Sequence, residues 1–388
     1  MIGHPDGRGV AASERPAIAV IGGGIIGLAI GWRLAAAGCR VDVFDAGRAG
    51  QGATRAAAGM LAADAEAEPG EQALLPLNRL SRSLWPAFAA ELEAASGLTV
   101  DLRWDGTVQI ALSADDTARL RHHHAFARSL GLEQHWLTGA EALRREPHLR
   151  PGLGGALFSP GDGQVDNRKV AAALVVALRR AGGRLHEDRA VEEVVVERGR
   201  ATGVRVAGTL HRADRVVLAA GAWSRRIPGI PPEALPPVRP VKGQMLALRM
   251  DPAAPLLRGV VWTPTAYLVP RADGRLIVGA TVEERGFDDR LTAGGVYALL
   301  DGVWRALPGV EDLPIDEMWT GLRPGSRDDA PVLGPCPVDG LVLATGHHRN
   351  GILLAPVTAD AVAGFVLTGD LDAAARPFTL DRFRECAA

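Results

Sequence analysis

The chain has 388 residues, enough for two domains rather than one simple core. Its 43 basic and 45 acidic residues give a net charge of −2 without a basic block, which argues against nucleic acid as the main partner. Hydrophobic residues at 47% and charged residues at 23% exclude wholesale disorder, and 47 glycines, about 12% against the usual ~7%, point to many tight turns or close backbone approaches.

Residues 1–15 are polar, Gly-rich and aperiodic, and read as a flexible tail. A short buried strand follows at 18–21, then a helix at 27–37 ended by Gly38, then a strand at 41–44. This is βαβ grammar from the first ordered residue. Residues 46–63 form a loop of small residues. From Leu77 the apolar positions Leu80, Leu84, Phe88 and Leu92 keep helical spacing, with Pro86 as an irregularity. Strand-like alternation occupies 98–113, a surface helix 115–130, and a strong helix 170–181 closed by Gly182-Gly183. Short strands are expected near 191–197, 203–207 and 215–219. Residues 227–240 carry six prolines in fourteen positions and read as a linker. Strand-like runs return at 243–249, 259–262, 266–270 and 275–279, before a helix near 293–306. A strand at 341–344, a glycine turn and an apolar helix at 352–367 close the chain. An α/β pattern that starts, is interrupted twice and resumes predicts a discontinuous nucleotide-binding domain with a β-rich domain inserted.

Three cysteines, Cys39, Cys336 and Cys386, lie far apart with no CxxC pair, which excludes a thiolate zinc site and a disulfide scaffold and suits a reducing compartment. The apolar run from Ile18 to Trp32 is shorter than the ~20 residues of a membrane span and holds five glycines. A cytoplasmic protein without a membrane span is expected. His122, His123 and His124 sit on consecutive helical positions about 100° apart, so they do not converge on one ion, and no metal site is expected. There is no P-loop, no GxSxG elbow and no HExxH helix.

Gly22-Gly23-Gly24-Ile25-Ile26-Gly27 satisfies GxGxxG between a strand and a helix, where glycines let the backbone approach a pyrophosphate at the positive helix end. Asp45, 23 residues after Gly22 and at the end of the second strand, is placed to accept hydrogen bonds from ribose hydroxyls. An acid there disfavours a 2′-phosphate, but NAD and FAD remain open. A second signal is the strand from Arg215 that ends in Ala219-Ala220-Gly221, small residues suited to a close cofactor. A third is Gly346-His347-His348-Arg349-Asn350-Gly351-Ile352, a glycine turn feeding a helix whose N-terminus would stabilise negative charge on a reduced ring.

The segments VIGGGIIG (20–27), AAAGML (56–61), PVKGQ (240–244), YLVPR (267–271), VGAT (278–281), WTGLRPGSRDDAP (319–331) and GHHRNGILLAP (346–356) carry a resemblance. With them the chain resembles the D-amino acid oxidase-like family of FAD-dependent amine oxidases, in particular its glycine oxidases of thiamine biosynthesis. The resemblance implies an α/β fold: a discontinuous Rossmann-like FAD-binding domain (16–95, 152–228 and 321–388) plus an α+β substrate domain with a mainly antiparallel sheet (96–151 and 229–320).

It also implies that Gly22, Gly24, Ile25, Ile26, Gly27, Asp45, Ala46, Ala53, Thr54, Ala58, Gly59, Met60, Val191 and Gly221 hold FAD. The turn His347, His348, Arg349, Asn350, Gly351, Ile352 and Leu353 would lie under the flavin. Arg323 matches the arginine that clamps the substrate carboxylate, as a planar guanidinium suits. Tyr267 matches a tyrosine supporting the same group, and Arg349 a second arginine beside substrate and flavin. Lys242, in PVKGQ, reads as a strand residue rather than a charge near the flavin. No counterpart of a tethering cysteine is present, so non-covalent FAD is implied.

The chain departs from the glycine oxidase pattern at Thr265, Val282 and His348, where histidine, methionine and phenylalanine are usual. These changes bear on the preferred amine. The implied reaction oxidises glycine, sarcosine or a small D-amino acid with dioxygen as acceptor. A quinone- or dye-linked dehydrogenase and a flavin-bearing subunit of a larger complex are the alternatives, and a homo-oligomer is compatible with either.

Overall fold

A computed structural model describes residues 16–384; the expected tail 1–15 and Cys386 lie outside the described residues. The strand Ala17–Ile21 is buried along its whole length, as an all-apolar run between covered faces must be. Gly22 to Gly24 turn the chain into the helix Ile25–Ala36, of which ten of twelve residues are buried. That helix packs against the helices Asn167–Arg180 and Ala355–Thr368. Three segments distant in sequence therefore share one core face.

The sheet beneath them has six strands in the order Val332–Pro335, Leu341–Thr345, Arg215–Leu218, Ala17–Ile21, Arg40–Phe44, Arg184–His186. All pairs are parallel except the first, which closes the edge as a hairpin. This is the Rossmann-like half, assembled from the start, middle and end of the chain.

The second sheet has eight strands in the order Ile315–Gly325, Arg239–Arg249, Arg275–Gly279, Tyr267–Pro270, Val260–Trp262, Thr107–Ala111, Gly155–Ser159, His135–Leu137. It is antiparallel apart from one parallel pair, Val260–Trp262 with Thr107–Ala111. The helix Ala293–Trp304 packs on it through Leu299 and Val303. A three-stranded sheet (Val191–Glu197, Arg200–Val206, Thr209–Arg212) completes the fold beside a two-stranded one (Met60–Leu61 with Gly163–Gln164).

Several elements differ from expectation for physical reasons. Pro86 lies inside the helix Leu75–Ser96 without ending it. One lost N–H is outweighed there by burial of Trp85, Phe88 and Leu92. The last helix begins at Ala355 rather than Ile352, because a 3-10 turn His348–Asn350 comes first. Within 98–113 only Thr107–Ala111 forms a strand. The strands Gly155–Ser159 and Ile315–Gly325 were not anticipated. The second alternates poorly between buried and exposed positions and contains Gly321, Pro324 and Gly325, which mask its period. The proline-rich stretch 227–240 holds a single 3-10 turn, Pro232–Ala234, and runs directly into the strand Arg239–Arg249.

Among the described residues no helix is long and apolar enough to cross a membrane.

Candidate active site

Between the two large sheets lies a cavity of about 1030 Å³, lined by residues of all three Rossmann-like segments and of the antiparallel sheet. At one end the backbone of the glycine turn forms a cradle. Gly22 has φ +107°, and a Cβ there would stand 2.3 Å from the Ala219 carbonyl oxygen. The helix Ile25–Ala36 has no side-chain cap at Gly24 and no acid in its first turn, and its positive end faces the cavity. Thr54 Oγ1 accepts the Ile25 N–H at 2.9 Å and ties the next loop to that end. Asp45 accepts N–H bonds from Gly23 at 2.7 Å and Gly47 at 2.8 Å, which fixes its carboxylate on the cavity wall. A helix start facing the cavity, a backbone that tolerates no side chain and an anchored carboxylate fit a dinucleotide with free ribose hydroxyls.

At the other end the antiparallel sheet supplies Tyr267 and Arg323. Neighbouring glycines make room for both: a Cβ at Gly279 would lie 2.5 Å from the Tyr267 hydroxyl, and one at Gly243 2.5 Å from Arg323 Nη1. Arg323 Nη1 donates to the carbonyls of Thr281 (3.1 Å) and Lys242 (3.4 Å), and no carboxylate pairs with the guanidinium among the described residues. Tyr267 donates its O–H to Met245 Sδ at 3.4 Å, a weak acceptor that an incoming oxygen would displace. Burial raises the Tyr267 pKa while Arg323 opposes it, so the phenol keeps its proton. Trp262 lies beside the Tyr267 ring, 5.9 Å between centroids, and its buried indole N–H has no partner among the described residues.

Arg349 also lines the cavity, but two of its three guanidinium nitrogens are taken by acidic residues. Nε donates to Glu66 Oε2 at 3.0 Å, and Nη2 to Glu71 Oε2 at 2.6 Å and the Glu66 carbonyl at 3.2 Å. Burial works against its charge, yet Glu66, Glu71 and Glu68 outweigh it and hold the pKa above the usual arginine value.

His347 is buried, with Nε2 3.0 Å from Thr358 Oγ1, and burial pushes its pKa down to about 3. His348 is driven down to about 4, mainly by burial and further by Arg349 and Arg323, against the pull of Asp329. Both imidazoles are neutral in the folded protein. Below pH ~6.5 the unfolded chain takes up protons that the folded one refuses, so these groups remove stability as pH falls from 6.5 toward 4. His348→Phe is expected to shrink that acid loss by roughly 1–2 kcal/mol. Thermal melts of both proteins at pH 7 and pH 5 check this; equal shifts in the two would refute it.

Most of the residues implied by the resemblance meet in this one cavity: Gly22, Gly24, Ile25, Ile26, Asp45, Ala46, Ala53, Thr54, Ala58, Gly59, Met60, Val191, Gly221, Tyr267, Arg323, His347, His348, Arg349, Gly351 and Ile352. Three stand behind the wall. Gly27 is where the helix crosses the glycine turn, and a Cβ would lie 1.9 Å from the Gly22 carbonyl oxygen. Asn350 is buried and joins backbone bonds from His347 to Leu354. The Leu353 carbonyl accepts from Ser81 Oγ (2.6 Å) and Trp85 Nε1 (3.0 Å), which ties the turn to the helix Leu75–Ser96. Lys242 is 1% exposed, donates to the Arg290 carbonyl at 2.6 Å and stands outside the cavity. Thr265 and Val282 both line the cavity, Val282 at a rim where it is 72% exposed.

Sequence reasoning passed over Glu66, Trp262 and Arg271. Glu66 looks like one of several acids in a solvated loop, yet its side chain is 8% exposed. Arg271 closes the YLVPR segment, and a buried arginine after an apolar strand is itself a signal. Its guanidinium donates to the carbonyls of Ala58 and Val165, both at 2.7 Å, and to Gln164 Oε1 and Asn167 Oδ1, both at 3.0 Å.

Comparison with known proteins accords with this geometry. A family model described as FAD dependent oxidoreductase matches residues 17–364. The chain is 39% identical over 375 residues to a glycine oxidase of Geobacillus kaustophilus, covering 95% of this chain and 98% of that one. The crystal structure of a G. kaustophilus glycine oxidase superposes with a TM-score of 0.87, covering 95% and 99% of the two chains. A bifunctional ThiO/ThiG protein of Trichormus variabilis is 37% identical over 378 residues, 96% of this chain but 56% of that longer one. An iminodiacetate oxidase from Chelativorans is 27% identical with a TM-score of 0.83, covering 93% of this chain and 98% of that one. The chain therefore belongs to the DAO family of FAD dependent oxidoreductases, and FAD is the dinucleotide its cavity is built to hold.

Proposed function

We propose that the protein oxidises glycine and other small amino acids to the 2-oxo acid, ammonia or amine, and hydrogen peroxide, in the service of thiamine biosynthesis. The observation that carries this reading is Arg323. It is a cavity-facing guanidinium with no carboxylate partner among the described residues, bonded to two backbone carbonyls beside a protonated Tyr267 and in the same cavity as the dinucleotide cradle. A glycine carboxylate would take the open edge of that guanidinium as a charge-assisted pair and draw the Tyr267 O–H away from Met245. The two contacts fix the carboxylate and limit where the substrate Cα can lie, and orientation is the main help this chain gives. Bound FAD supplies the two-electron acceptor, restored by dioxygen with release of hydrogen peroxide. An amine that enters unprotonated needs no base from the protein. Water then converts the imine to glyoxylate and ammonia, so glycine, water and dioxygen balance glyoxylate, ammonia and hydrogen peroxide.

Val191 and the three Rossmann-like segments (16–95, 152–228 and 321–388) are the FAD half in this reading, with the boundary at 152 moved beyond Ser159 and that at 321 beyond Gly325. Both strands concerned belong to the antiparallel sheet. FAD is held without a covalent link. Cys336 is half-buried with its thiol pushed up to about 11, chiefly by burial, and neither Cys336 nor Cys39 lines the cavity. The setting is cytoplasmic and the partners are a small amino acid and dioxygen.

The test is a panel of initial rates with peroxide detection on the yellow protein. Thr265 and the rim residue Val282 leave space where bulkier residues are usual in glycine oxidases. Lost wall bulk changes discrimination by only about 1–3 kcal/mol, so specificity should broaden rather than vanish. Glycine, sarcosine and D-alanine are expected to react, and L-alanine to be poor. A preference for L-alanine over both glycine and D-alanine would overturn the binding pose.

A further inference from the structure

The cavity contains two arginines, and the protein treats them differently. Arg323 meets carbonyl oxygens and no carboxylate among the described residues. Arg349 is held by two carboxylates, Glu66 at 3.0 Å and Glu71 at 2.6 Å, and Glu68 adds a third negative charge on the cavity wall. Glu66 and Arg349 both reach this position at some cost, since each is largely withdrawn from water. A bare Arg349 would be a second anion-binding site within the cavity that holds Arg323. With its acids in place the guanidinium charge is offset, by Glu66 and Glu68 on the cavity wall and by Glu71 behind it, and that wall disfavours an anion. Such repulsion is how a site rejects a competitor that shares every attractive contact with the preferred ligand.

We propose that Glu66 and Glu71 are specificity-determining residues: by occupying Arg349 they deny the cavity a second carboxylate clamp and turn away dicarboxylic amino acids such as D-aspartate. The inference rests on the reading that Arg323 takes the substrate carboxylate. Glu66 and Glu71 act through Arg349 and are positioning residues. Asp and Glu side chains on a substrate would meet the acid-rich wall, whereas the hydrogen or methyl of glycine, sarcosine or alanine leaves it undisturbed.

The experiment titrates the FAD-loaded protein with two unreactive probes, acetate and malonate, following the visible flavin spectrum. Acetate reports the Arg323 site alone, and malonate adds one carboxylate at short reach. In the unaltered protein malonate is expected to bind roughly tenfold more weakly than acetate. In the double variant Glu66→Gln/Glu71→Gln, in which the amides still accept from Arg349 but carry no charge, the malonate-to-acetate affinity ratio is expected to rise about tenfold or more. Should the double variant fail to retain FAD, Glu71→Gln alone carries the test, with a shift of roughly threefold in the same direction. Malonate binding as tightly as acetate in the unaltered protein overturns the proposal, and so does an unmoved ratio in a folded, yellow variant. Absence of acetate binding in the unaltered protein removes the Arg323 pocket itself, and with it both readings.

Discussion

Arg323→Ala is expected to purify yellow and folded, yet to lose glycine oxidation. The substitution removes a charge-assisted pair with the substrate carboxylate, worth on the order of 2–5 kcal/mol, which corresponds to a loss of about 30-fold to several thousandfold in kcat/KM. The cofactor should stay, because the dinucleotide cradle is built from Gly22, Thr54 and Asp45 and none of these contacts Arg323. Arg323→Lys should recover only part of the loss, since an ammonium lacks the planar fork. Steady-state rates with peroxide detection, alongside the visible spectrum, decide the matter. Near-normal efficiency in Arg323→Ala would mean that another group anchors the carboxylate.

The second large effect concerns the cofactor rather than the substrate. Gly27→Ala places a Cβ 1.9 Å from the Gly22 carbonyl oxygen, a backbone atom that cannot swing aside. Overpacking costs about 1–3 kcal/mol where side chains can yield, and more where backbone must move. The helix Ile25–Ala36 would be pushed off the glycine turn, and its N-terminus would leave the position in which it faces a pyrophosphate. The variant should therefore be colourless or nearly so, read as flavin absorbance per mole of protein, and should melt at a lower temperature. Full flavin occupancy in Gly27→Ala would show that helix placement does not govern FAD binding.

The nucleotide half was legible from local grammar. A buried strand, the GxGxxG turn, a helix and an acid at the end of the next strand each have a short-range cause, and Gly22, Ile25, Thr54 and Asp45 share one cavity wall. The substrate half was legible only through the resemblance. Arg323 lies on Ile315–Gly325, whose burial does not alternate, and its strand character comes from a long ladder with Arg239–Arg249 instead of from local propensity. Glu66 was hidden for a related reason. Acids in a loop are usually solvated, and only the arrival of Arg349 from 283 residues away gives this one a buried partner. Trp262 and Arg271 sit in ordinary strand contexts, and their significance depends on which distant backbone or open space they face.

Arg271 follows a strand of the antiparallel sheet and donates to acceptors on Ala58, Gln164, Val165 and Asn167, which lie in the loop after Ala56, the strand Gly163–Gln164, the residue after it and the first turn of the helix Asn167–Arg180. No single sheet can therefore come apart alone. Detaching the substrate half would break four hydrogen bonds to one guanidinium at once. Calorimetry should accordingly record one cooperative transition for the FAD-loaded protein. Limited proteolysis, in the same way, should yield either intact yellow protein or small colourless peptides, with no stable nucleotide-binding fragment between them. An enzyme wired in this fashion ages all at once.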